Sequence, residues 1–171
     1  MPENHIDQAL EEFRVALSMD PLSPIVNMNY GLTLLVAHRN SEALAQFDKI
    51  LERDPGFVPA HFYLSQAYLA TGRYPDAVSE LEKTPQFAGV SATRDLPGYL
   101  KLMLEPAAPG PPTNIAVTYA VAGNGDKAFE YLEKAHSQQD SELMACIRFP
   151  AFDSLHRDPR WADLMRRVGL P

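Results

Sequence analysis

The feature that most constrains this chain is an internal repeat with a 34-residue step. Ala9, Phe13, Ala16 and Pro21 return as Ala43, Phe47, Ile50 and Pro55. They return again as Ala77, Leu81, Thr84 and Gly89, where the pattern fades. Gly31 and Leu34 reappear as Ser65 and Tyr68. After a longer step of 51, Tyr68, Gly72, Ala77 and Leu81 come back as Tyr119, Gly123, Ala128 and Leu132. A period of this length means one supersecondary unit per repeat. Such a unit cannot bury its apolar face alone, so successive copies stack on one another.

Each repeated position has a physical role. Gly31, Ser65 and Ala116 are small where two helices of one unit cross closely, and Ala43, Ala77 and Ala128 are small on the opposing helix. Phe47, Leu81 and Leu132 fill the space beside them. Gly72 and Gly123 can take the left-handed backbone that ends a helix. Pro55 cannot continue one. Apolar residues recur at steps of three and four in Ala43-Leu44-Phe47-Ile50-Leu51 and in Ile6-Leu10-Phe13-Leu17, the period of an amphipathic helix. Ser23-Pro24 and Asp158-Pro159 read as N-caps followed by first-turn prolines. No stretch alternates with the period of two that a half-buried strand requires.

The quoted segments resemble the tetratricopeptide repeat family. The best matches are YGLTLLVAHRNSEALAQFDKILERDP at 30–55, YLSQAYLATGRYPDAVSELEK at 63–83 and IAVTYAVAGNGDKAFEYLEKA at 115–135. The resemblance implies an all-α, right-handed α-solenoid of helix-turn-helix units with a C-terminal capping helix. It divides a single domain, 1–171, into a half repeat at 5–21 and repeats at 24–57 and 58–91. An irregular insert at 92–108, a repeat at 109–142 and a cap at 147–171 complete it. Asn27 and His61 depart from the family, which often has Trp at their position. In the insert, Asp95-Leu96-Pro97 reads as a helix start, with Tyr99, Leu100, Met103 and Leu104 on one face. Pro106 to Pro112 reads as a stiff linker. In the cap, Trp161, Leu164, Met165 and Val168 share a helical face. The tail FPAFDSLHRDPRWADLMRRVGLP at 149–171 is similar to repeat domains at the C-terminus of bacterial signalling proteins.

Composition narrows the function. The chain has 171 residues and a net charge of -7. An acidic surface repels phosphate backbones, which argues against nucleic acid as a partner. Arg157, Arg160, Arg166 and Arg167 alternate with Asp158 and Asp163 as a solvated helix face. No apolar run approaches the ~20 residues of a membrane span, and the first five residues show no basic-then-apolar leader pattern. We therefore expect a cytoplasmic protein that does not engage a membrane.

No catalytic or metal constellation is visible. His5, His38, His61, His136 and His156 include no pair three or four residues apart, so no helical metal pair exists. Cys146 is the only cysteine, and its apolar run reads as a packed thiol. Gly123 and Gly125 flank a turn between helices rather than a phosphate loop. No nucleophile-elbow sequence is present. The expectation is a non-enzyme with no cofactor and no metal.

What remains is binding. In the family, the first helices of successive units line a concave groove. That mapping places Met28, Asn29, Leu32 and Leu35 there from one unit, Phe62, Gln66 and Leu69 from the next, and Thr113 and Val117 from the last. Members that grip acidic carboxyl tails carry Lys, Arg and Asn where this chain has Met28, Leu32, Phe62 and Gln66, so that mode is not expected. The expected function is a protein-interaction module that holds a peptide or helix in an apolar groove, within a larger bacterial regulatory protein. The alternative is self-association. Residues 5–21 form only the second half of a unit, leaving Ile6, Ala9 and Phe13 without their usual partner helix. Either an upstream helix of a longer chain covers them, or a second copy does so in a homodimer through the N-terminal helix.

Overall fold

The computed structural model describes residues 3–87, 90, 92–104 and 110–170. Among them no strand occurs, and the architecture is all-helical. The elements are α1 (Glu3–Met19), α2 (Pro24–Val36), α3 (Asn40–Arg53), α4 (Val58–Ala70), α5 (Tyr74–Glu82), α6 (Leu96–Leu104), α7 (Pro112–Val121), α8 (Gly125–Ser137), α9 (Ser141–Cys146), a 3-10 turn (Pro150–Leu155) and α10 (Pro159–Arg167). They form two compact units, Met1–Asp95 and Leu96–Pro171.

In the first unit α2 pairs with α3 and α4 with α5, each pair one repeat, and α1 packs on α2. α3 in turn packs on α4, so the copies stack as an α-solenoid. The helix boundaries follow from local chemistry. Ser23 Oγ accepts from the Val26 N–H, and Pro24 fills the first turn where its missing N–H costs nothing. Gly72 closes α4 with φ +71°. The matching position one repeat earlier is His38, which adopts the same left-handed backbone at φ 57° without glycine's freedom. Arg39 and Arg73 precede α3 and α5 with no side-chain cap, and each instead reaches forward to a carboxylate, Glu42 at 2.6 Å and Asp76 at 2.7 Å.

The close crossing within a repeat rests on Gly31. A Cβ there would lie 2.6 Å from Cε1 and 2.9 Å from Cζ of Phe47, whose ring is fully buried. The same 16-residue spacing joins Ser65 to Leu81 and Ala116 to Leu132, all 0% exposed. As the first residue grows from Gly, the second shrinks from Phe to Leu. Ser65 donates its hydroxyl to the Phe62 carbonyl of its own helix, at 2.6 Å.

A second device repeats beside it. Asn27 on α2 donates through Nδ2 to the carbonyls of Pro21 (3.0 Å) and Ser23 (2.7 Å), and Gln46 on α3 donates to Asn27 Oδ1. Thirty-four residues on, His61 Nε2 meets the Pro55 carbonyl at 2.8 Å and Nδ1 meets Glu80 Oε2 at 2.7 Å. Lys49 reaches Gln46 at 3.3 Å, and its counterpart Lys83 reaches Glu80 at 2.6 Å. Each repeat thus ties its entry loop, first helix and second helix at one buried point. Asn27 and His61 therefore serve as polar anchors at the position where the family often has Trp.

α5 is shorter than α3, 9 residues against 14. Pro85 cannot extend it, and the buried Thr84 hydroxyl turns back to the Leu81 carbonyl at 2.8 Å. This is where the repeat pattern fades. Gly89, its last expected member, lies outside the described residues.

The second unit contains α6 to α10. The helix expected after Asp95 is α6, which buries Tyr99, Leu102 and Met103 and leaves Leu100 and Leu104 half-buried. Of the expected linker Pro106–Pro112, residues 106–109 lie outside the described residues, and Pro112 is instead the first residue of α7. α7 and α8 pack together where the third repeat is expected. Asp158 Oδ1 caps α10 at the Arg160 N–H, 2.9 Å away. Leu164 is 0% exposed in a cluster with Phe129, Leu132 and Phe152, and Trp161, Met165 and Val168 pack against it. The 147–171 cap is richer than the single expected helix. The 3-10 turn falls inside it and α9 just before it, and both are too short to show periodicity.

Size matching at the crossing is testable by a mutant cycle. In the wild-type background, Gly31→Ala should lower stability, because an overpacking cost of about 1–3 kcal/mol against a rigid ring outweighs the helix gain of about 1 kcal/mol. In a Phe47→Leu background, which copies the third repeat, Gly31→Ala should raise stability. Denaturant unfolding reads both, and equal effects in the two backgrounds would disprove the matching.

Candidate functional site

The first helices differ from the second helices in one respect that bears on binding. α2, α4 and α7 contain no Asp, Glu, Lys or Arg. The charges of the first unit's helices sit on α1, α3 and α5. A repeat protein of net charge -7 thus keeps its first helices electrically neutral.

The structure sorts the nine expected groove residues. Met28, Asn29 and Leu32 on α2 and Phe62 on α4 are half-buried and retain accessible surface. Leu35, Gln66 and Leu69 are buried, at 2%, 6% and 6% exposure. Thr113 and Val117 belong to α7 in the second unit and are buried as well. Thr113 is committed to holding the fold. Its backbone N–H and its hydroxyl both donate to Asp140 Oδ2, at 3.0 and 2.8 Å, and Asp140 also caps α9. The accessible face therefore narrows to α2 and α4. Family mapping missed two residues there. Ile25 precedes Met28 by one turn at 62% exposure, and Val58 precedes Phe62 by one turn at 41%. Large apolar residues at a helix start beside a proline were the available signal.

Phe62 is held from behind. Its ring meets Tyr63 edge-on at 5.4 Å, and Tyr63 stacks on Phe47 at 6.2 Å. Aromatic contacts thus run from the accessible face into the core. Ile25, Met28, Leu32 and Val36 lie on one stripe of α2, at steps of three and four.

At the other end of the first unit, Ile6, Ala9 and Phe13 are half-buried rather than open. The Phe13 ring lies 6.3 Å from Tyr30 on α2, and Leu10 beside it is buried. α2 packs on this helix and leaves part of these side chains accessible. The exposed apolar side chains lie further along, at Val15, Met19, Leu22 and Ile25 around the α1–α2 turn. A pocket of about 350 Å³ opens there between Pro21, Leu22 and Pro24 and the end of α3, with Lys49 and Arg53 balanced by Glu52 and Asp54.

The described residues bring together no group of His, Cys, Asp and Glu side chains able to hold a metal ion, and no described helix is long and apolar enough to cross a membrane. Burial pushes the Cys146 thiol up to about 12, with Glu142 and Asp140 adding to the effect. The thiol therefore stays protonated at neutral pH and is a poor nucleophile. The folded protein should react with a thiol reagent at neutral pH far more slowly than the denaturant-unfolded chain. Equal rates would place Cys146 in an open site.

Comparison with known proteins follows the same division. Two family models described as tetratricopeptide repeat match residues 3–57 and 34–92. No curated protein matches the sequence. Among solved structures, one crystal structure of MamA aligns at 17% identity over 98% of this chain and 88% of that one, with a TM-score of 0.47. A second, of MamA protein, aligns at 17% identity over 98% and 82%, with a TM-score of 0.46. The two family models together span residues 3–92, more than half of the sequence, over the segment where the paired helices recur at the 34-residue step, and the chain belongs to the tetratricopeptide repeat family.

Proposed function

We propose that this chain is a protein-interaction module that receives a segment of a partner on the α2–α4 face of its first unit. Tetratricopeptide repeats are typically non-catalytic interaction modules. The observation that carries the reading is the neutral apolar strip of Ile25, Met28, Leu32, Val58 and Phe62, part of it plainly exposed, on helices stripped of charge. Exposed apolar surface grouped on one face marks interaction sites. The likeness of residues 149–171 to the tails of bacterial signalling proteins supports a place in a larger regulatory protein. Self-association is the second reading, favoured by the four exposed apolar residues at Val15, Met19, Leu22 and Ile25.

The two readings separate by mutation. Val58→Glu with Phe62→Ala should weaken capture of a cross-linked partner at least about tenfold, the loss expected when an anchor is removed and a charge is desolvated. Unfolding should show that the protein stays folded, since Val58 is exposed and Phe62 half-buried. Met19→Glu with Leu22→Glu should leave capture intact, and light scattering should show no change of mass. A fall in mass with the second pair and undiminished capture with the first would favour self-association instead.

A further inference from the structure

The pocket at the α1–α2 turn lies off the α2–α4 face and pairs an apolar interior with a charged mouth. None of Met28, Leu32, Val58 and Phe62 lines it. Its volume is about 350 Å³, at the small end of the range that ligand pockets occupy. Pro21, Leu22 and Pro24 form one wall, and the last turn of α3 forms the other. The two prolines fix their own φ, so this wall keeps its shape with or without an occupant. Ile50 and Asn27 line the interior and are buried, at 4% and 8% exposure. Asn27 spends both Nδ2 hydrogens on the Pro21 and Ser23 carbonyls, and its Oδ1 accepts from Gln46. An occupant must therefore bring an apolar body to the interior.

Charges of both signs stand at the mouth. Lys49 and Arg53 supply two cations, Glu52 and Asp54 two carboxylates, and all four residues are exposed. Among the described residues Arg53 has no ion-pair partner. A ligand with a lone carboxylate would face Glu52, Asp54 and a chain of net charge -7. A lone ammonium would face Lys49 and Arg53. A zwitterion finds an opposite charge for each of its ends.

The second repeat lacks these residues. At the 34-residue step Leu22 becomes Gly56, Ile50 becomes Thr84 and Arg53 becomes Phe87, which is 2% exposed. α5 also stops at Glu82, short of the position that Arg53 holds on α3. The leucine wall, the aliphatic interior and the unpaired arginine thus belong to the first copy and not to the repeat as such.

We infer that this pocket binds a small zwitterion built on one aromatic ring, the chemical class of a free aromatic amino acid. A flat ring with few rotors enters between the rigid proline wall and Ile50 at little entropic cost. A guanidinium at the mouth adds attraction to the ring face. The ligand carboxylate turns to Arg53 and Lys49, and its ammonium to Glu52 and Asp54. The site is independent of the proposed interaction function, and each can fail without the other.

The test is titration of the full chain with L-phenylalanine, followed by NMR. Saturable binding in about the millimolar range is expected, with shifts centred on Leu22, Asn27 and Ile50. Phenethylamine lacks the carboxylate, 3-phenylpropionate lacks the ammonium and L-leucine lacks the ring. Each should bind at least about threefold more weakly. Leu22→Asp and Arg53→Glu, both at exposed positions, should each weaken L-phenylalanine at least about threefold and leave the melting temperature unchanged. Val58→Glu on the other face should leave binding intact. Absence of saturable binding, binding that survives both pocket variants, or an analogue that binds as tightly as L-phenylalanine would overturn the inference.

Discussion

Each repeat of the first unit is closed by one buried polar tie, and the rest of its geometry depends on it. In the first copy the tie is made of amides: Asn27 holds the Pro21 carbonyl and receives Gln46. In the second, His61 holds the Pro55 carbonyl and meets Glu80. A carbonyl can only accept, so Nε2 of His61 donates to Pro55, while Nδ1 lies 2.7 Å from the Glu80 carboxylate. The tie engages a loop carbonyl six residues earlier in the chain. It also pins the first helix to the second, so Gly31 and Phe47 meet at close range.

This arrangement explains the division of labour between helices. The polar and charged groups that hold a repeat together lie toward the second helix: Gln46, Lys49, Glu80 and Lys83, with Arg39–Glu42 and Arg73–Asp76 at the helix starts. The first helices contribute Asn27 or His61 to the tie and carry no Asp, Glu, Lys or Arg. Their remaining surface is free to be apolar without jeopardising the fold. The second unit closes its repeat differently. Tyr131 stands where Glu80 would fall at the 51-residue step, and it stacks on Tyr119 at 5.6 Å.

Much of the fold was legible because it is written in period. The helix pairs, the small-residue crossings and the Ser23 and Asp158 caps all follow from spacing and from residue types with few alternatives. So do the left-handed glycines at 72 and 123. The polar tie was not legible. Asn27 and His61 are different residue types, and nothing local shows that each reaches a carbonyl six residues back and a side chain nineteen residues on. The candidate face was legible only in part. Repeat position names the residues of a first helix, and burial then depends on what packs over them. Hence Met28, Leu32 and Phe62 keep surface while Leu35 and Leu69 do not.

If the two ties are one device built twice, the second should accept the first's residues. The most direct measurement is a double-mutant cycle on His61 and Glu80 read by denaturant unfolding. His61→Asn alone sets an amide oxygen against the Glu80 carboxylate and should cost about 1–3 kcal/mol, as expected for a buried unsatisfied group. Adding Glu80→Gln recreates the Asn27–Gln46 pair and should restore most of that loss. A double variant as unstable as the sum of its single changes would show that the two networks are not equivalent, and that no common tie is repeated in each copy.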